Sequence, residues 1–187
     1  MSRKVLIAYG TRFGSTEEIS IKFKQILEKN NFVVNLVNLK AMKKRKPDIS
    51  DYSGVLIGSG IRVARWTKEA KNFLKTNVNF INNKELIIGI YLSSGNASDP
   101  KERPTIIEKY LLEVFKELGL KLGENVLYDA FGGVFDLSKT TNLSWINRKM
   151  LMTVADGDPK IVPNERRDLR DWNQINNFIV NFIHKLR

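Results

Sequence analysis

The stretch RKVLIAYGTRFGSTEEI, residues 3–19, decides which fold this sequence encodes. Its first part, 3–9, is a mostly apolar run that we interpret as a β-strand, and Gly10 ends it. From Thr16 to Asn30, apolar residues recur at positions i, i+4, i+7 and i+8, which is typical of an amphipathic helix. A strand that passes through a short turn into a helix is the first unit of an α/β domain.

The rest of the chain continues this alternation of strands and helices. The run 86–92 is nearly all apolar, which indicates a strand covered on both faces, as in a parallel sheet. Five strands with helices between them predict a doubly wound α/β sheet, and ligands of such sheets bind beyond the carboxyl ends of the strands. Further strands are predicted over 32–39, 53–57, 85–92 and 124–131, and further helices over 67–78, over 104–118 and from Asp171 onwards. The helix over 104–118 is expected to bury Ile107, Tyr110, Leu111, Val114 and Leu118.

Residues 134–170 do not fit the alternation, because they separate the fifth strand from the last helix by far more than a usual connection. In the first half, Leu143, Ile146 and Met150 stand at helical spacing and predict a short amphipathic helix. The second half, 156–170, is polar and is predicted to be irregular. We therefore expect one domain over 1–187 with an insertion at 134–170.

Composition excludes several chemistries and leaves others open. The 187 residues include no cysteine and a single histidine, His184, so disulfides, thiolate sites and multi-histidine metal sites are excluded. No apolar run reaches the roughly 18 residues of a membrane span, and no cleavable leader is recognisable, so we expect a cytoplasmic protein. The net charge of +11 favours nucleic acid, an anionic membrane or an acidic small molecule as a partner. The densest basic run, 40–46, is equally well interpreted as a solvated loop.

The turn from Gly10 to Thr16 combines glycines and hydroxyls directly before a helix, which favours an anion site. A helix N-terminus offers unpaired amides and the positive end of a dipole, and Thr11, Ser15 and Thr16 can donate to phosphate oxygens. The turn has neither the Gly-Lys-Ser/Thr ending of a Walker loop nor the three-glycine spacing of a dinucleotide site. The alternative is that Ser15 and Glu18 form only a capping box.

This turn resembles the flavodoxin signature, Thr/Ser-x-Thr-Gly-x-Thr, in the form Thr11-Arg12-Phe13-Gly14-Ser15-Thr16. Phe13 stands where the signature has a hydroxyl, and Arg12 is expected to compensate for the lost hydrogen bond. The resemblance implies a flavodoxin-like five-stranded parallel sheet in the order 2-1-3-4-5. It also implies flavin mononucleotide (FMN) as the cofactor.

Within that superfamily the chain looks most like the menaquinone-dependent protoporphyrinogen oxidases. The turn matches their Ser/Thr-Thr-Arg-x-Gly-x-Thr form, and Ile57-Gly58-Ser59-Gly60-Ile61-Arg62 matches their Ile-Gly-x-Ser-Ile-Arg, with Gly60 in place of serine. Strand five ends in Phe131-Gly132-Gly133, and the long insertion is followed by Asp171-Trp172, as in that family. The segment 156–159 matches the family's glycine-rich turn only loosely.

The resemblance implies where the flavin lies. The ring is expected between the loops 59–66 and 93–103, with Trp66 either stacking on the flavin or packing at the start of the next helix. Arg62 is expected to pair with a carboxylate or to favour reduced flavin by its charge; its alternative role is a surface ion pair. The residues expected to hold FMN are Thr11, Arg12, Phe13, Gly14, Ser15, Thr16, Ser59, Gly60, Ile61, Arg62, Trp66, Ser93, Ser94, Gly95, Asn96, Gly132 and Gly133.

The resemblance also implies the reaction, which is oxidation of protoporphyrinogen IX to protoporphyrin IX with a quinone as electron acceptor. No side chain stands out as an acid or base, so no catalytic residue is named, and no metal is expected. The basic charge suits a porphyrinogen and an anionic membrane, at whose inner face the predicted insertion helix either dips into the interface or packs on the domain. The alternatives are an electron carrier, against which the charge argues, and a flavin-dependent quinone reductase using a nicotinamide cofactor. A nucleic-acid partner is not expected, and self-association is left open.

Overall fold

The computed structural model describes residues 3–42, 47–82, 86–138, 149, 152, 162 and 164–187. Its centre is a five-stranded sheet with every neighbouring pair of strands parallel, in the order β2-β1-β3-β4-β5. The predicted doubly wound sheet and its strand order are therefore confirmed. The strands are β1 (Lys4–Gly10), β2 (Val33–Asn38), β3 (Gly54–Gly60), β4 (Ile87–Ser93) and β5 (Val126–Phe131).

Helices cover both faces of this sheet, and most begin and end close to the predicted positions. Asp171 caps the last helix as predicted, because its carboxylate accepts from the amides of Asn173 and Gln174. A short 3₁₀ turn, Gly95–Ser98, follows β4. The helices are α1 (Ser15–Lys29), α2 (Lys68–Asn82), α3 (Arg103–Ile107), α4 (Glu113–Leu118) and α5 (Trp172–Leu186), with a π-helical turn, Glu108–Leu112, between α3 and α4.

Two apolar layers fill the space between the sheet and its helices. Alternate residues of β1 point to opposite layers, since Leu6 packs with α2, α3 and α4, whereas Ile7 packs with α1 and α5. The central strands β1, β3 and β4 are covered on both faces, which explains why their sequences are continuous apolar runs.

The π-helical turn shifts the buried face of the helix that follows β4. The fully buried residues are Ile106, Leu111 and Phe115, whereas the expected Ile107, Tyr110, Val114 and Leu118 are only partly buried. The amide of Glu113 bonds the carbonyl of Glu108, five residues back, so one extra residue is accommodated in that turn. The expected 3.6-residue periodicity is therefore wrong across this turn.

The two ends of the insertion pair with each other. Two short strands, β6 (Val134–Asp136) and β7 (Arg166–Asp168), form an antiparallel ribbon, and the amide of Leu169 donates to the carbonyl of Gly133 at 3.0 Å. The prediction that 156–170 is irregular is therefore wrong for β7. The predicted insertion helix around Leu143, Ile146 and Met150 lies outside the described residues. None of the helices in the described ranges has both the length and the hydrophobicity of a membrane span.

Candidate functional site

A cavity of about 330 Å³ opens at the carboxyl ends of the central strands. It lies where the strand order reverses around β1 and β3, which is the position that ligands of doubly wound sheets occupy. Four loops and the turn after α3 converge on it. Its wall consists of Thr11, Arg12, Phe13, Ser15, Thr16, Gly60, Ile61, Arg62, Val63, Ala64, Ser93, Ser94, Gly95, Asn96, Ile106, Tyr110, Gly133, Val134 and Phe135.

The first of these loops leads from β1 into α1 and leaves the helix N-terminus without a side-chain cap. Gly14 precedes the helix with φ +89°, a left-handed conformation that favours glycine, and its amide donates to Thr11 Oγ1 at 3.0 Å. Ser15 Oγ lies 2.7 Å from Ser93 Oγ, and Glu18 pairs with arginines. The alternative of a capping box is therefore wrong, and the first-turn amides of α1 are available to an anion.

Thr16, which lines the cavity beside the N-terminus of α1, has a buried hydroxyl. Only 1% of the residue is exposed, and its Oγ1 has no hydrogen-bond partner in the part of the chain that the structure describes. A methyl group added at Gly60 would lie 3.2 Å from this oxygen, so the hydroxyl lies against the carboxyl end of β3. Buried hydroxyls are almost always hydrogen-bonded, and a bound phosphate would supply the missing partner.

The second loop, after β3, is a tight turn with a strained backbone conformation. Arg62 and Arg65 exchange two backbone hydrogen bonds of 3.0 Å, and Val63 and Ala64 between them have φ of 48° and 57°. Such turns favour glycine and asparagine, and a β-branched residue there is strained. The turn projects Val63 to the surface with 78% of its area exposed. The guanidinium of Arg62 lies 5.6 Å from the centre of the Phe13 ring.

The third and fourth loops, after β4 and β5, approach each other through glycines. A Cβ on Gly95 would lie 2.4 Å from the ring of Phe135, and one on Gly133 would lie 3.1 Å from the amide nitrogen of Gly95. The amide of Ser94 donates to the carbonyl of Phe131 at 2.9 Å and so ties the two loops together. Larger residues at these two glycines would push the loops apart.

The charge around the cavity is positive. Its described wall contains Arg12 and Arg62 and no carboxylate. Two acidic side chains belong to the first turn of α1: Glu17 accepts a hydrogen bond from the hydroxyl of Tyr9, and Glu18 pairs with two arginines. Burial and, secondarily, the hydrogen bond to Glu17 raise the pKa of Tyr9 well above its ordinary value, so Tyr9 stays neutral.

The structure brings all but four of the predicted site residues to the cavity wall. Gly14 shapes the turn, and Ser59 is buried behind it, where its Oγ accepts from the amide of Thr67 at 3.0 Å. A Cβ on Gly132 would lie 2.1 Å from the carbonyl oxygen of Leu169, so this glycine allows contact with the end of the insertion.

Trp66 is the fourth predicted residue that does not line the cavity. It is 6% exposed, packs in the layer between the sheet and α2, and its indole nitrogen donates to the carbonyl oxygen of Tyr110. Of the two roles considered from the sequence, the structure places Trp66 in the packing role. Arg12, expected to compensate for Phe13, donates to the carbonyl of Trp66 at 3.1 Å.

Sequence reasoning predicted Phe13 and Ile61 but missed the other apolar residues of the wall. These residues come from the strained turn, from α3 with its π-helical turn and from the first strand of the insertion. Val63 and Ala64 lie in the predicted loop 59–66 but were not singled out, whereas those from α3, its π-helical turn and the insertion reach the cavity only through tertiary packing, which no local pattern reveals. The missed residues are Val63, Ala64, Ile106, Tyr110, Val134 and Phe135.

The fold and the site define an α/β protein with a cavity beside an uncapped helix N-terminus at the switch point of its sheet. The sequence matches the family described as flavodoxin domain over residues 6–160, and the chain therefore belongs to that family. No curated protein sequence matches the chain significantly.

Solved flavodoxins share the fold at low sequence identity. A flavodoxin from the domain Archaea is 13% identical with a TM-score of 0.52, over 98% of this chain and 98% of its own. A cysteine-to-serine mutant of flavodoxin from Pseudomonas aeruginosa is 14% identical with a TM-score of 0.50, also over 98% of each chain. A flavodoxin from Fusobacterium nucleatum, solved bound to flavin mononucleotide, is 12% identical with a TM-score of 0.45, over 98% of this chain and 96% of its own.

Proposed function

We propose that this chain is a redox protein that binds FMN in the cavity at the carboxyl ends of β1, β3 and β4. The observation that carries the proposal is the buried hydroxyl of Thr16, which lacks a partner among the described residues and lies beside the uncapped N-terminus of α1. A phosphate monoester satisfies both the hydroxyl and the amides. Membership of the flavodoxin-domain family supports the same cofactor.

The residues divide between the two ends of FMN. The turn from Thr11 to Thr16 holds the phosphate through its amides and hydroxyls, and the loops 60–64 and 93–96 with Phe135 hold the flavin ring. FMN, when bound, supplies the transfer of electrons, while the protein supplies position and electrostatics. Ser15 and Ser93, whose hydroxyls lie 2.7 Å apart, connect the two ends.

The finer proposal is that the substrate is protoporphyrinogen IX and the electron acceptor a quinone. Arg12 and Arg62 stand in a described wall without carboxylates, which suits the propionates of a porphyrinogen, and Ile61, Val63 and Phe135 suit its apolar ring. Every two electrons and two protons that leave the porphyrinogen reduce one quinone to one quinol. The motifs around Thr11–Thr16 and Ile57–Arg62 support this assignment by their resemblance to the protoporphyrinogen oxidases.

Anaerobic reduction of the FMN-loaded protein tests the proposal. We expect protoporphyrinogen to bleach the visible flavin band and a menaquinone analogue to restore it. Arg62→Gln should slow the reduction, whereas Arg65→Gln, which removes the same charge from an exposed residue outside the cavity wall, should not. A flavin that dithionite reduces but porphyrinogen does not would contradict the finer proposal and leave the cofactor assignment intact.

A second candidate function is electron transfer between proteins without a substrate of its own. The exposed Val63 beside Arg62 and Arg65 gives the cavity an apolar and basic rim, which suits an acidic redox protein. If this function is the correct one, reduced FMN in this protein should be reoxidised by an acidic partner at a rate that falls steeply with salt. A flavin-dependent quinone reductase would instead be reduced by a nicotinamide cofactor.

We further propose that the protein contacts the cytoplasmic face of an anionic membrane in which the quinone is dissolved. The net charge of +11 favours that surface. The contact is assigned to the insertion 134–170, whose predicted helix lies outside the described residues. Replacing Trp145 and Met150 by polar residues should reduce co-sedimentation with anionic liposomes, and unchanged sedimentation would contradict the contact.

A further inference from the structure

The end of the insertion carries a buried arginine that no sequence motif indicated. The side chain of Arg170 is 1% exposed, and its guanidinium lies 4.5 Å from the centre of the Trp172 ring. It donates to Asp168 Oδ1 at 2.8 Å, to Asp168 Oδ2 at 2.5 Å and to Glu18 Oε2 at 2.6 Å. It also reaches the carbonyl oxygen of Ser15 at 3.4 Å, in the first turn of α1.

The ion pair between Arg170 and Asp168 favours the charged form of both side chains. Burial alone would lower the pKa of Arg170, but its hydrogen bonds to Asp168 and Glu18 outweigh burial and raise it. Burial alone would raise the pKa of Asp168, but the hydrogen bonds and charge of Arg170, with the charge of Arg166, lower it overall. Arg170 therefore sits between two carboxylates, with hydrogen bonds to both Asp168 and Glu18.

Glu18 is the residue through which this cluster meets the proposed cofactor site. It belongs to the first turn of α1, directly after the turn that carries the proposed phosphate site. A second arginine, Arg166 of β7, reaches both oxygens of the same carboxylate, at 3.2 Å and 3.0 Å. An unpaired carboxylate there would interact with the positive end of the helix dipole in place of the phosphate, and its charge would repel a phosphate dianion.

We infer that Arg170, together with Arg166, acts as a positioning residue that completes the phosphate site by neutralising Glu18. The inference rests on the proposed FMN site. The two arginines lie at the end of the insertion, whereas Glu18 lies on α1, so docking of β7 and binding of the phosphate stabilise each other. The insertion therefore contributes to cofactor affinity without contacting the cofactor through these residues.

Comparison of FMN with riboflavin, which lacks the phosphate, isolates this role. We expect Arg170→Gln to weaken FMN binding about tenfold at low salt and Arg166→Gln to weaken it less, because Glu18 then keeps its pair with Arg170; both should leave riboflavin binding unchanged. Adding Glu18→Gln to either variant should restore FMN binding, because no charge then needs to be neutralised. Arg167→Gln is the matched control, since Arg167 belongs to the same strand, is similarly exposed and pairs with Glu165 instead.

The outcomes separate this inference from the proposed function. Equal loss of FMN and riboflavin binding, or no recovery with Glu18→Gln, would overturn the inference and assign the cluster a purely structural role. If Arg170→Gln fails to fold, Arg166→Gln still decides, because its side chain is 41% exposed and its removal leaves the Arg170 pairs in place. A wild-type protein that binds neither flavin would instead refute the proposed FMN site.

Discussion

The indole nitrogen of Trp66 donates a hydrogen bond to the carbonyl oxygen of Tyr110, a residue 44 positions further along the chain. Tyr110 belongs to the π-helical turn that contributes to the cavity wall. The bond joins the segment that leaves the strained loop after β3 to the turn between α3 and α4. One buried side chain thus holds together two parts of the wall that it does not line.

Replacing Trp66 by phenylalanine should destabilise the protein by about 2 kcal/mol or more, because the Tyr110 carbonyl loses its donor and a cavity forms. Urea unfolding measures the loss. FMN affinity should stay close to that of the wild type, since Trp66 does not line the cavity. Tyr110→Phe is the control, because it keeps the backbone carbonyl and hence the bond. A large loss of FMN affinity in a stably folded Trp66→Phe protein would instead support stacking on the flavin.

Replacing Thr16 by valine should have opposite effects on stability and on cofactor binding. Without FMN, the free energy of unfolding should stay unchanged or rise by up to about 1 kcal/mol, because a buried hydroxyl without a partner among the described residues is removed. FMN affinity should fall about tenfold or more, because a hydrogen bond to a charged phosphate is lost. Titration with riboflavin is the control. Unchanged FMN affinity would show that the hydroxyl does not face the phosphate.

Replacing Gly95 by alanine should destabilise the loop after β4 by about 1–3 kcal/mol, because the added methyl group would overlap the ring of Phe135. In a Phe135→Ala background the same change should cost much less. A double-mutant cycle in urea unfolding measures this coupling. Strict additivity of the two costs would show that another contact, and not the Phe135 ring, limits residue size at Gly95.

The stability of the protein should decrease as the pH rises above about 10, the ordinary pKa of tyrosine. Burial raises the pKa of Tyr91, and its hydrogen bond with Ser20 offsets only part of this shift. The unfolded chain therefore loses the Tyr91 proton at a lower pH than the folded chain, so this contribution to stability is present below about pH 10 and is lost above it. Urea unfolding between about pH 8 and about pH 11 measures the decrease.

Tyr91→Phe tests whether Tyr91 causes this loss of stability at alkaline pH. It should be less stable at neutral pH by about 1 kcal/mol, because the hydrogen bond with Ser20 is lost. Its stability should decrease less steeply in alkali than that of the wild type. Tyr9 is shifted in the same direction, so part of the decrease should remain. An identical pH profile for both proteins would contradict the assignment to Tyr91.

Much of the fold could be predicted because its signals are local. The apolar run of β4 indicates burial on both faces of the strand. The glycine and hydroxyl residues of the turn from Gly10 to Thr16 lie directly between a strand and a helix in the sequence. The resemblance of that turn to the flavodoxin signature supplied the strand order, which the structure confirms.

What the sequence by itself determined, then, is the alternation of strands and helices and the glycine- and hydroxyl-rich turn before α1, because each depends on neighbours along the chain. Only the tertiary structure decided that Trp66 packs in the core, that the helix after β4 contains a π-helical turn, and that Arg170 meets Glu18 across 152 positions of sequence. Charged and hydrogen-bonded pairs of this kind leave no periodicity. Their partners depend on how segments far apart in the chain pack together, as the end of the insertion does against α1 where Arg170 meets Glu18.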